Sequence, residues 1–157
     1  MIDILDEKLR RENVKNYFLQ SMLAALILFF ALNLPFVSDA VLIAAIGSTA
    51  FVAFAMPKRT TARPRNIIGS HFVTGLIGFL FAWLSALFLP ELVAISLGLG
   101  VAIFAMVTLD LEHPPAGGTV IFVILTPNIE AFIILMFLAT LMAVISYVLK
   151  PYLKDLV

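Results

Sequence analysis

At 157 residues, 62% hydrophobic and only 13% charged, the chain carries about half the charge of a typical soluble domain, and no water-soluble fold of this length hides so much apolar surface. A formal net charge of zero gives no footing for nucleic-acid binding, and the absence of cysteine excludes disulfides, thiolate metal sites and cysteine nucleophiles. What remains is a one-domain polytopic membrane protein.

The chain opens with Ile2, Leu5 and Leu9 at helical spacing, acids first (Asp3, Asp6, Glu7) and bases later (Lys8, Arg10, Arg11, Lys15). That order complements a helix dipole and predicts a short interfacial helix over 1–15. The membrane domain is expected over 16–149. Tyr17 to Phe36 is an apolar run of the ~20 residues a span requires. It is too long for a signal-peptide core, and the acids before it do not suit a transit peptide, so insertion of the intact chain is expected. Ala40 to Met56 forms a second span with Gly47-Ser48-Thr49 in its middle. The basic, proline-bounded loop Pro57 to Asn66 leads to a third span, Ile67 to Leu89, and Pro90-Glu91 turns into a fourth, Leu92 to Leu109.

Then the pattern breaks. Asp110-Leu111-Glu112-His113-Pro114-Pro115-Ala116-Gly117-Gly118-Thr119 holds two prolines, two glycines, two acids and a histidine, and cannot continue a helix. In lipid such a break is tolerated only where it is buried in protein or lines a wet cavity, which marks it as a binding or conduction site. The bland alternative is a cytoplasmic connecting loop. Beyond it come the short apolar piece Val120 to Leu125, the turn Thr126-Pro127-Asn128, a last span Ile129 to Leu149 and a tail over 150–157.

All ten Lys and Arg fall at the N-terminus, in the loop Lys58 to Arg65, or in the tail. The positive-inside rule then places both termini and the basic loop in the cytoplasm, in the expected setting of a bacterial inner membrane. The piece after the break must therefore cross outward, yet its eleven residues rise only ~16 Å as a helix. His113 is thus expected well inside the membrane. Gly47 to Pro57 also aligns without gaps on Gly117 to Pro127, sharing Gly, Thr and the closing Pro at equal offsets. The fold expected is an all-α membrane bundle of five to six elements, arranged as two inverted three-element repeats (16–89 and 92–149) with broken helices. The segments starting near Gly47 and Gly117 would point their N-termini at one another, and converging amides and dipoles would make an anion site.

The candidate substrate-binding residues follow from that geometry. His113 offers a donor or a proton shuttle, Pro114 and Pro115 shape the backbone, Gly117 and Gly118 allow close approach, and Thr119 adds a hydroxyl. Gly47, Ser48 and Thr49 form the facing wall. Asp110 is a candidate orienting partner for His113. Arg65 gathers anions at the inner mouth or pairs with the acids, Asn66 stands beside it, and His71 lies about one turn inside the membrane with Ser70 and Thr74. Gly75, Gly78, Ser96 and Gly100 have helix-packing spacing. No zinc, nucleophile-elbow or phosphate-loop motif occurs, so no catalysis, metal or cofactor is expected.

Glu112-His113-Pro114-Pro115-Ala116-Gly117 resembles the signature of the HPP family of small integral membrane proteins, and Pro64-Arg65-Asn66-Ile67-Ile68-Gly69-Ser70-His71 is similar to its second recurrent block. Together with Gly47-Ser48-Thr49 the resemblance spans roughly residues 16 to 149. It implies a four-span description, fewer than the elements counted above, and, because plastid and cyanobacterial relatives are assigned nitrite transport, a permease for a small anion. The alternatives are a channel for the same ion or a non-transporting sensor or subunit. A bundle this small with glycine-rich faces is expected to contact lipid and to pair with a second copy of itself.

Overall fold

The computed structural model describes residues 11–157. The expected interfacial helix falls mostly outside the described residues, and 11–15 run without interruption into the first span. Six α-helices follow in order: α1 (Arg11–Leu32), α2 (Ala40–Ala55), α3 (Pro64–Leu87), α4 (Glu91–Thr108), α5 (Ala116–Leu125) and α6 (Ile129–Leu149), with a 3₁₀ turn at Thr60–Ala62. Among the described residues there is no strand. The protein is an all-α integral membrane bundle. Four helices are long and apolar enough to cross a membrane, while α2 and α5 are shorter, so a count of four spans and a count of six elements describe the same chain.

The helix starts explain where the acids sit. Asp39 caps α2, its Oδ1 accepting from the amides of Val41 and Leu42 at 2.8 and 3.1 Å, and Asn128 caps α6 in the same way at 2.9 and 3.0 Å. Glu91 and Glu130 lie in the first turns of α4 and α6, where a negative charge meets the positive dipole end. At the opposite, basic end the difficulty is the C-terminus of α2, whose last carbonyls have no helical partner. Foreign groups satisfy them. Ser146 of α6 donates to the Ala53 carbonyl at 2.6 Å, Gln20 of α1 to that of Phe54, and the tail amide of Leu156 to that of Ala55 at 2.8 Å. The Lys58 amide donates in turn to the Asp155 carboxylate at 3.0 Å, tying the tail to the basic loop.

Helices α3 and α5 form the centre of the bundle: α3 packs on α4, α5 and α6, and α5 touches α2, α3 and α4. Lipid is as apolar as the side chains, so close packing holds such helices together. A Cβ at Gly78 of α3 would lie 2.7 Å from Val123 Cβ of α5, and one at Gly75 would collide with the Phe132 ring of α6. The expected packing role of these two glycines holds. On α4 the contact face differs from expectation, because Ser96 is exposed and a Cβ at Gly100 would meet nothing within 4 Å. The buried ridge is Ala94, Gly98 and Ala102, four residues apart, with Gly98 under Ile124.

Three substitutions test this packing. Gly78→Val lowers stability by about 1–3 kcal/mol, because Val123 and the Val120 carbonyl leave it no room, whereas Gly100→Ala is neutral. Gln20→Leu costs about 1–3 kcal/mol by unpairing the Phe54 and Lys154 backbone groups it bonds. Thermal unfolding in detergent micelles reads all three.

Candidate functional site

The fourth span ends because the chain turns left-handed at Asp110, whose φ is 55°. The Leu111 amide reaches back to the Met106 carbonyl at 2.8 Å and the Asp110 amide to that of Val107 at 3.3 Å, which is a Schellman closure. Asp110 is one of the few non-glycine residue types that visits this conformation readily. Its carboxylate is exposed and pairs with Arg65 at 3.3 Å, while Arg65 Nη2 donates to the Leu109 carbonyl at 2.9 Å. The expectation that Asp110 orients His113 is therefore corrected. Asp110 closes a helix, and Arg65 clamps that closure at the rim.

From there the break runs inward. Asn66, buried at the start of α3, donates from Nδ2 to the Glu112 carbonyl at 3.3 Å. His113 Nδ1 donates to the Thr61 carbonyl in the 3₁₀ turn at 2.8 Å. Pro114 and Pro115 form a turn in which the amides of Ala116, Gly117 and Gly118 donate to the carbonyls of His113, Pro114 and Pro115 at 2.9 to 3.0 Å. The first amides of α5 are thus spent within their own turn. Nor does a second N-terminus face them, because α2 runs unbroken from Ala40 to Ala55 and the amides of Gly47, Ser48 and Thr49 belong to its helical ladder. The expected cradle of converging free amides does not form. A mid-helix glycine is tolerated, and Ser48 and Thr49 bond back to the carbonyls of Ala44 and Ala45, as hydroxyls in apolar helices do.

The sequence-predicted residues meet through side chains instead. Thr49 Oγ1 lies 3.0 Å from His71 Nε2 and 3.2 Å from His113 Nε2, and Thr119 Oγ1 lies 2.6 Å from His71 Nδ1. Thr49, His113 and Thr119 are 0% exposed and His71 1%, so no water competes for these bonds. The two imidazoles meet edge to face with centroids 5.2 Å apart. His71 stands seven residues into α3, about 10 Å along its axis from the basic end. Gly118 lets α5 approach α2, since a Cβ there would lie 3.1 Å from that of Ala45.

The proton positions follow from the acceptor at one end. A carbonyl only accepts, so His113 carries its proton on Nδ1, and in the neutral ring Nε2 must accept. Thr49 supplies that proton. Its oxygen is then the acceptor for His71 Nε2–H, which leaves His71 Nδ1 to accept from the Thr119 hydroxyl. One continuous chain results, Thr119 to His71 to Thr49 to His113 to Thr61, in which the single Thr49 proton is shared between His113 Nε2 and the Ala45 carbonyl 2.8 Å away. Among the described residues no buried side-chain nitrogen or oxygen lacks a partner.

Two depressions flank the cluster. One, of about 400 Å³, lies between α2 and α5 and is bordered by Ser48, Phe51, Pro114, Pro115 and Gly118. The other, of about 280 Å³, lies between α4 and the break and includes Glu112, His113, Pro114 and Gly117. A larger cavity of about 570 Å³ between α1 and α2 is lined by Tyr17, Gln20, Ser21, Gly47 and otherwise apolar residues, away from the histidines. Among the described residues no group of three metal-ligating side chains occurs. Sequence reasoning passed over Thr61, whose contribution is a backbone oxygen that any residue would supply. It also passed over Gln20, whose lone amide in an apolar run was the available signal.

Fold and site together define the class: a small polytopic helical membrane protein in which the chain breaks between α4 and α5 and the break is tied to its neighbours by buried histidines and threonines. The family model for the HPP transmembrane region matches residues 9–153. The chain belongs to the HPP family. No curated protein and no solved structure matched it.

The assignment of Asp110 as a helix closure has a direct test. Asp110→Gly preserves or raises the unfolding midpoint, because glycine adopts positive φ without the ~1 kcal/mol steric cost. Asp110→Val lowers it. A loss of stability in the glycine variant as large as in the valine variant would mean that the carboxylate matters and the backbone conformation does not.

Proposed function

We propose that this HPP protein carries a small inorganic anion, with nitrite the first candidate, through the point where α2, α3 and the break converge. The observation that carries the reading is the buried Thr49–His71–His113–Thr119 cluster at a helix break, with a depression on either side. Polar side chains are costly inside a membrane and collect where a solute passes. The donors for the anion are imidazole N–H groups and threonine hydroxyls rather than free helix amides. Arg65, Asn66 and Asp110 hold the break in shape, and Gly117 and Gly118 give the α5 backbone its close approach. Nitrite as the substrate comes from the resemblance to transporting relatives, and an inverted repeat and pairing with a second copy belong to the same reading.

One observation favours a second reading, a non-transporting membrane subunit: Pro115 is buried and the four polar side chains are sealed. A transporter that alternates between the two depressions passes through such a closed arrangement, whereas a permanently open channel does not.

The test is nitrite uptake by the purified protein in liposomes, with His113→Ala and Thr119→Val beside the wild type and folding checked by thermal unfolding. Saturable uptake with counterflow, reduced at least roughly tenfold in both variants, is the expected result. Absence of uptake of nitrite and of other small anions by the folded wild type would leave the subunit reading.

A further inference from the structure

The chain through the two histidines has a property that anion binding alone does not require. Every member between Thr119 and Thr61 both donates and accepts; the Thr61 carbonyl fixes which way the ring protons point, and the Ala45 carbonyl competes with His113 for the Thr49 proton. We propose that the cluster is a proton relay in which His113 holds the transferred proton at Nε2, with Thr49 as the link between the two rings. The relay stands on this geometry; its coupling to solute movement rests on the transport reading above.

The transfer balances atom by atom. A proton reaching Thr119 Oγ1 lets that hydroxyl pass its own proton to His71 Nδ1. His71 gives up the Nε2 proton to Thr49, and Thr49 gives its proton to His113 Nε2. Both hydroxyls end with one proton, His71 ends neutral with its proton on Nδ1, and His113 ends as the imidazolium. The bonds between the rings reverse, and the Ala45 carbonyl, which gives up its share of the Thr49 proton, keeps its helical amide. His113 Nε2–H now donates to Thr49, Thr49 to His71 Nε2, and His71 Nδ1–H to Thr119. The same three distances, 3.2, 3.0 and 2.6 Å, serve both directions. A hydroxyl, able to donate on one side and accept on the other, is the group this requires between two imidazoles. Valine has the same shape and can do neither.

The surroundings limit what else can take or give the proton. Facing His113, α2 contributes Thr49 and no charged group, and α3 contributes His71 and the uncharged Asn66. From α4 come the apolar Leu99, Ile103, Met106 and Val107, and α5 supplies Gly117 and, through His71, Thr119. On the break itself Glu112 shares the smaller depression with His113, and Asp110 is exposed and paired with Arg65. Glu112 is thus the carboxylate that borders that depression. The other end of the relay lies next to Gly118, on the border of the larger depression. His113 thus borders the smaller depression, and Thr119, fully buried, lies one residue from the lining of the larger one.

The experiment combines two readouts on the full chain. In nanodiscs, nitrogen NMR of ¹⁵N-histidine-labelled protein is expected to give His113 protonated at Nδ1 and His71 at Nε2 near neutral pH. On acidification His113 gains the second proton while the His71 proton moves to Nδ1. In Thr49→Val the His71 tautomer no longer follows His113, and Thr49→Ser restores the coupling. In liposomes holding a pH-sensitive dye, nitrite-driven proton movement falls roughly a hundredfold in Thr49→Val and recovers in Thr49→Ser. A wild-type His71 tautomer that stays fixed while His113 is protonated overturns the relay, as does proton movement unchanged by Thr49→Val. A tautomer switch without flux of nitrite or any other small anion supports the relay and removes the transport reading. Anion flux with neither the switch nor proton movement does the reverse.

Discussion

The constraint on which this structure depends is that a helix stopped against buried neighbours must find partners for every backbone group it frees. The chain stops α4 at Thr108 and starts α5 at Ala116, and it meets the obligation with side chains from elsewhere. Arg65 takes the Leu109 carbonyl, Asn66 that of Glu112, and the His113 ring ties the break to the Thr61 carbonyl. The Pro114-Pro115 turn lacks two amides by its chemistry and uses its carbonyls to accept from the first amides of α5. The two sequence blocks that carry the resemblance are therefore two sides of one joint. Residues 65, 66 and 71 on α3 grip the break, the last through Thr49, and each block is of little use without the other.

Much of this was legible in the sequence. The apolar runs located six helices to within a few residues, and proline, glycine and acid placement located their ends, because these signals are local. The break was legible for the same reason, since no other ten residues combine that chemistry. The polar cluster was legible as a set of names, because Thr49, His71, His113 and Thr119 are costly in lipid wherever they sit. How they join was not legible. The same Gly-x-Thr triplet opens a helix at Gly117 and lies mid-helix at Gly47, and only the prolines at 114 and 115, without counterpart before Gly47, separate the two cases. Asp110 illustrates a second kind of misreading. Its charge suggested a partner for His113, whereas its tolerance of positive φ is what the chain uses.

The aligned triplets nevertheless meet in space. Thr49 and Thr119, third residues of the two copies, contact opposite nitrogens of the His71 ring. Their surroundings differ: Thr49 also reaches His113 and the Ala45 carbonyl, and Thr119 reaches His71 alone among the described residues. A symmetric pair of hydroxyls around one imidazole would have no preferred direction. The third contact made by Thr49, and the fixed carbonyl of Thr61 beyond it, remove that symmetry and give the chain of bonds a polarity. Directionality at this joint thus comes from a mismatch between otherwise similar segments: one helix that breaks and must be tied back, and one that runs through and supplies the link.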